Sequence, residues 1–182
     1  MAHGFIIESM IQAKNIDALN RSVTSAVDVD GGGLIAIAYP TTKGNDVWTA
    51  SAPSTELGGL WIAYNPEVKY TDVNGKRYAG LSADIRDYTN IAGEVFDAFK
   101  PKVGDELIIS IDAVDATGAD AVAGDILEAK AGQTKFTRVA AGTGATAGST
   151  AFEIELVDAI DFPSASIGFE KVKAFKAVCI QE

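Results

Sequence analysis

Residues 87–110 read "DYTNIAGEVFDAFKPKVGDELIIS", and the reading of this stretch decides how the rest of the chain is divided. Thr89 or Asn90 is placed to cap a short helix, and Ile91, Val95, Ala98 and Phe99 fall at spacings that share one helical face. Pro101 disfavours the helical region for Lys100, so the helix, or a loop in its place, ends there. Gly104-Asp105 then supplies a turn, and Leu107, Ile109 and Ile111 alternate against Ile108, Ser110 and Asp112 as a new strand does. The stretch is therefore expected to be a structural joint, with Phe96 and Phe99 packing it onto the C-terminal half. It predicts an N-terminal β subdomain over residues 1–98, carrying an N-terminal arm, and a C-terminal β-barrel-like subdomain over 99–182.

On the N-terminal side, "VTSAVDVDGGGLIAIAYPTT" (23–42) predicts two strands around a Gly turn, with Val23, Val27 and Val29 before it and Leu34, Ile35 and Ile37 after it. Val47 and Trp48, then Leu60, Trp61, Ile62 and Tyr64, continue as short strands punctuated by Pro53, Gly58, Gly59 and Pro66. Asn74-Gly75 is a hairpin signal between Val73 and Tyr78. On the C-terminal side, Gly124-Asp125 resembles Gly104-Asp105 as a strand start. "AAGTGATAGSTA" (140–151) has too little apolar area to order itself and is expected to be a mobile or partner-ordered tip. Phe152, Ile154 and Leu156 are expected on one face of a strand, and in the last strand Val172 and Ala174 on the face opposite Lys173 and Phe175. Short strands with turns about every dozen residues define the fold class: mainly β, a short-stranded β-sandwich or β-barrel.

The totals exclude several classes. A chain of 182 residues can bury a sizeable core, and its single Cys179 leaves no intrachain disulfide and no CxxC site. A net charge of −10 argues against a coat for nucleic acid, which needs clustered Lys and Arg. The opening "MAHGFIIESMIQAK" lacks a basic n-region, and no apolar run approaches a membrane span, so assembly in the cytoplasm and no membrane partner are expected.

Catalytic and metal motifs fail on context. His3, the single histidine, lies near the N-terminus and has no Ser-His arrangement around it. Asp28 and Asp30 start like a calcium loop, but Tyr39 stands where the closing Glu belongs, and Asp112, Asp115 and Asp120 match no known spacing. Gly142, Gly144 and Ala147 fit a dinucleotide fingerprint formally, yet a strand follows in place of the required helix. Glu94, Asp97, Asp105 and Glu106 are candidates for a glycosidase pair, and equally for helix-start and turn carboxylates. Trp48, Trp61, Tyr64 and Tyr70 fit a sugar-binding surface or a core and subunit contact.

Four segments carry a likeness: "MAHGFIIESMI", "GGLWIAYNPEV", "DIRDYTNIAGEVFDAFKPKVGDEL" and "SIGFEKVKAFKAVCIQ". In that order, over most of the chain, they resemble the capsid decoration, or auxiliary head, proteins of tailed bacteriophages. The resemblance implies a structural virion protein that binds the outer surface of an assembled capsid and stabilises it. It implies the major capsid protein as partner, self-association as a trimer, no enzyme activity and no cofactor. Phe5, Ile6, Ile7, Met10 and Ile11 lie in an N-terminal segment too short to form a core alone. They are read as an arm that adds a strand or apolar anchor to the capsid or a neighbouring subunit, or as an ordinary first strand in the chain's own sheet. On the arm reading, deleting residues 2–11 is expected to abolish capsid binding and leave a folded protein. The alternatives are another virion part, a tail tube or head-tail connector protein, and a virion-displayed carbohydrate-binding module using Trp48, Trp61 or Tyr64.

Overall fold

The structure is a computed structural model, which describes residues 3–40, 46–66, 70–73, 76–79, 84–164 and 168–182. It is mainly β, as the sequence predicts. In chain order the strands are β1 (Ile6–Met10), β2 (Asn20–Ser25), β3 (Leu34–Ala38), β4 (Trp48–Ser51), β5 (Trp61–Ala63), β6 (Tyr70–Val73), β7 (Lys76–Ala79), β8 (Val95–Phe99), β9 (Glu106–Ser110), β10 (Ile126–Glu128), β11 (Thr137–Val139), β12 (Ala151–Ser164) and β13 (Gly168–Gln181). Among the described residues the helical elements are short 3-10 turns.

Strands β2, β4, β3, β5 and β8 close, in that order, into a barrel. Alternation aims Val23, Ile35, Ala50, Ala63, Phe96 and Ala98 at its interior, where three alanines suit the narrow bore of five strands. The closed barrel thus lies in residues 20–99, not in 99–182 where barrel-like closure was expected. Two local expectations are also corrected. The segment that reads as a helix is the strand β8, held between β2 and β5, because ladder partners on both sides outweigh a helical spacing of four side chains. Strands β2 and β3 do not form a hairpin: β4 lies between them and runs parallel to β2. The Gly triplet 31–33 carries the chain across instead, with Gly32 N–H donating to Ala63 O.

Six further strands form an open sheet in the order β1-β9-β13-β12-β10-β11, in which β12 and β13 are long, and β6 pairs with β7. Val73 stands opposite Lys76 there; Asn74 and Gly75 lie outside the described residues. One core joins barrel and sheet. The barrel's outer flank (Leu34, Ile62, Phe99) packs in the same cluster as the sheet's inner face (Ile6, Leu107, Ile109, Phe152, Phe175). Phe99 therefore does face the C-terminal half, whereas Phe96, of opposite parity, fills the barrel.

The two Gly-Asp strand starts prove to be the same structure. Gly104 and Gly124 have φ of +92° and +88°. Asp105 and Asp125 each accept, on a buried carboxylate, the N–H three residues back, from Lys102 and Val122. Each carboxylate accepts a second N–H from afar, Gln12 for Asp105 and Ala141 for Asp125. The long β12–β13 hairpin contains a bulge: Ile154 opposes Ala177, but Leu156 opposes Lys176, leaving Glu155 over. Phe152 and Ile154 share the buried face, whereas Leu156, expected on the same face, is shifted by the bulge to the other and is 51% exposed. The 140–151 loop is held within the chain instead of waiting for a partner. Buried Glu128 accepts the N–H and hydroxyl of Thr146, and Gln181 donates to the carbonyls of Thr146 and Ser149. Polar anchors do what the loop's small apolar area cannot.

Gly31 has no room for a side chain. A Cβ there would sit 2.3 Å from Oδ1 of Asn65, the atom that accepts Ile6 N–H. Gly31→Ala is expected to cost about 1–3 kcal/mol through overpacking and the displaced hydrogen bond, read as a lower denaturant midpoint.

Candidate functional site

The sheet has one face against the barrel and one turned outward, and the outward face divides in two. At one end Phe5, Ser110, Val172 and Ala174 are buried. At that end the 3-10 turn Ile85–Asp87 is tied to β13 and to the N-terminus. Arg86 pairs with buried Asp84 and with Glu170, and its carbonyl accepts His3 N–H. The Asp84 and Glu170 hydrogen bonds hold Arg86 firmly protonated.

The other end is open. One row across the strands reads Ile7, Ile108, Lys176, Leu156, and the next reads Met10, Glu106, Val178, Glu153. Ile7 is 41% exposed, Met10 62% and Leu156 51%, with Ile180 also exposed beside them. Lys176 sits in the middle, 2.8 Å from Glu155 and 3.0 Å from Glu106; hydrogen bonds to both carboxylates raise its pKa. The result is an open patch on four ladder-bonded strands, in which Ile7, Ile108, Met10, Val178, Leu156 and Ile180 surround the Lys176 ion pairs and exposed Glu153 stands beside them. Its rigidity comes from the ladder, so it can bind by shape without paying to order a loop.

The five residues of the predicted arm separate here. Phe5, Ile6 and Ile11 are buried in the chain itself, while Ile7 and Met10 belong to the open patch. β1 pairs with β9, and its outer edge is partly closed: the Asn65 side chain bonds both N–H and C=O of Ile6, as a neighbouring strand would. Sequence reading missed Ile108, Lys176, Val178 and Ile180. Their parity is visible in the alternation of β9 and β13, but which parity faces the barrel is not.

The other candidates disperse. Asp105 is buried in its turn, Glu106 pairs with Lys176, and Asp97 on the barrel's exterior accepts from Ser22. Glu94 and Asp97 line a cleft of about 380 Å³ with Thr89 and Asn90. Asp30 binds His3 at 2.7 Å and Gly4 N–H, and Asp28 accepts Ala92 N–H. Asp112 has a raised pKa, from burial above all. Among the described residues no three His, Cys, Asp or Glu side chains are placed to hold a metal ion. Cys179 is buried, and burial pushes its thiol up to about 12.

The aromatic candidates also part company. Tyr64 packs on Phe99 with its hydroxyl on Asn20; burial first, then Glu8, Asp97 and Asp105, push it up to about 12. Tyr70 lies in β6, and its side chain is outside the described residues. Trp48 and Trp61 come together at one end of the barrel around Arg21.

Fold and site define a mainly β protein, a closed barrel packed on an open sheet that presents an exposed, largely apolar patch. In comparisons with known proteins, the chain matches no family model, no curated protein and no solved structure.

Proposed function

We propose that this protein is a structural virion protein that binds the outer surface of an assembled phage capsid and stabilises it. The observation that carries the reading is the open apolar patch on β1, β9, β13 and β12, with Ile7, Met10 and Leu156 exposed on a rigid sheet. The resemblance of four sequence segments to capsid decoration proteins supplies the partner, the major capsid protein. In this reading Ile7 and Met10 are contact residues, whereas Phe5, Ile6 and Ile11 act indirectly, by fixing β1 in place.

The test is sedimentation with expanded, undecorated capsids of the matching virus, scoring saturable co-migration and copy number per shell. Saturation at a number fitting threefold or hexamer positions supports decoration, and a trimer in analytical ultracentrifugation supports the threefold choice. Absence of co-migration by a folded protein overturns the reading in favour of tail-tube or connector assembly, to be sought as rings or polymers. Within the same assay, Ile7→Glu and Leu156→Glu are expected to leave the melting temperature nearly unchanged, because both side chains are exposed. Each is expected to weaken capsid binding about tenfold or more, as loss of an interface anchor does.

A further inference from the structure

We propose that the mouth of the barrel is a binding site for a carboxylate-bearing sugar, such as a uronic acid unit of a surface polysaccharide. The site is independent of the sheet patch. Each of the five barrel strands sends one residue of interior parity to this end: Arg21 from β2, Tyr39 just past β3, Trp48 from β4, Trp61 from β5 and Lys100 just past β8. Register places them together. Arg21 opposes Ala98, Ala63 opposes the same Ala98, and Ala38 opposes Thr49, so the strand ends beyond these pairs meet at one rim.

The rim is organised around the guanidinium of Arg21, 5.4 Å from the ring centre of Trp48 and 5.7 Å from that of Trp61. Tyr39 meets Trp48 edge-on at 5.2 Å and is itself 75% exposed. Lys100 Nζ lies 4.0 Å from where a Cβ on Gly59 would stand, two residues before Trp61.

The ring carries two cations in an acidic chain. The chain has 25 acidic residues against 15 basic ones, and five of its cations, Lys14, Arg86, Lys102, Arg138 and Lys176, hold carboxylates. Among the described residues no carboxylate pairs with Arg21 or Lys100, and Arg21 spends one N–H on Asn20 O, 2.6 Å away. Two indoles lie within cation–π range of the guanidinium, and its N–H groups other than the one on Asn20 O supply the fork that can bind a carboxylate in a bidentate way. The aromatic side chains offer apolar faces against which the C–H face of a sugar ring packs, and a few fixed polar groups among aromatic walls are the make-up of a small-ligand site. The net charge of −10 disfavours a densely and continuously charged polyanion such as nucleic acid, so the fit is to a short acidic stretch of a polysaccharide.

Both tryptophans of the chain lie in this ring, so intrinsic tryptophan fluorescence reads the site alone. The titration uses tetragalacturonate, the neutral galactose tetramer and hexaglutamate. Saturable change with tetragalacturonate, at least tenfold weaker with the neutral tetramer and weakened by added salt, is the expected result. Arg21→Gln should lower affinity at least tenfold with an unchanged melting temperature. If Arg21→Gln does not fold, Lys100→Gln and Tyr39→Ala, at the rim, are expected to weaken binding instead. No saturable change, equal response to the neutral tetramer, or tighter response to hexaglutamate would overturn the assignment, the last in favour of an acidic protein partner.

Discussion

A chain lacking residues 2–11 is expected to be unfolded, not merely unable to bind. The segment carries β1, which pairs with β9 along the sheet, and buries Phe5, Ile6 and Ile11 at 1%, 0% and 5% exposure. Deleting the side chain of a buried Phe costs about 3–5 kcal/mol and of a buried Ile about 2–5. Together the three reach about 7–15 kcal/mol, which equals the whole stability of an ordinary domain, about 5–15 kcal/mol. Circular dichroism and a thermal melt of the truncated chain check this: a cooperative melt near that of the intact chain would contradict it. The structure thereby changes the experiment that the sequence suggests. Truncation cannot separate binding from folding here, whereas Ile7→Glu and Leu156→Glu can.

The second large effect is expected at Asp125. Its carboxylate is buried and accepts the N–H groups of Val122 and Ala141 and the guanidinium of Arg138. Asp125→Ala leaves two amides and a cation facing a void, and breaking a buried pair in this way costs about 3–5 kcal/mol. For a chain of this size that lowers the melting temperature by about 6–20 °C. The same site sets an acid limit. Burial raises the Asp125 pKa, but the Val122 N–H, Arg138 and Ala141 N–H bonds together outweigh it and leave the group below its ordinary value. Asp115 is lowered likewise: hydrogen bonds from Thr117 and Thr137 overcome its burial. A carboxylate whose folded pKa is depressed contributes stability that is present above the unfolded value, about 3.9, and is lost as pH falls through the folded one. Melting temperature is therefore expected to fall below about pH 4, and Asp125→Asn should flatten that limb while lowering the plateau. An unchanged acid limb in Asp125→Asn would remove Asp125 from the account.

Local chemistry was legible in the sequence where a residue's own backbone preference or period decides the outcome. The Gly-Asp starts at 104–105 and 124–125 are such a case, since positive φ and a short carboxylate are requirements of the turn itself. Alternation likewise located β9, β12 and β13. The helical reading of 91–99 failed because Ile91, Val95, Ala98 and Phe99 fit a helical spacing while the alternation Val95, Asp97, Phe99 against Phe96, Ala98 fits a strand, and only neighbours choose between them. Leu156 was misplaced because a single extra residue, Glu155, reverses parity without leaving a signal in composition.

The candidate sites follow the same division. The sequence by itself determined a mainly β chain, its turns, its acidity and the apolar character of residues 5–11. Only the tertiary structure decided that Phe5, Ile6 and Ile11 face inward while Ile7 and Met10 face out, and that Arg21, Tyr39, Trp48, Trp61 and Lys100, spread over 80 positions, meet at one rim. The reason is physical: turn and strand preferences act between residues a few positions apart, whereas strand order, barrel closure and the choice of buried face are set by contacts between residues far apart in the chain.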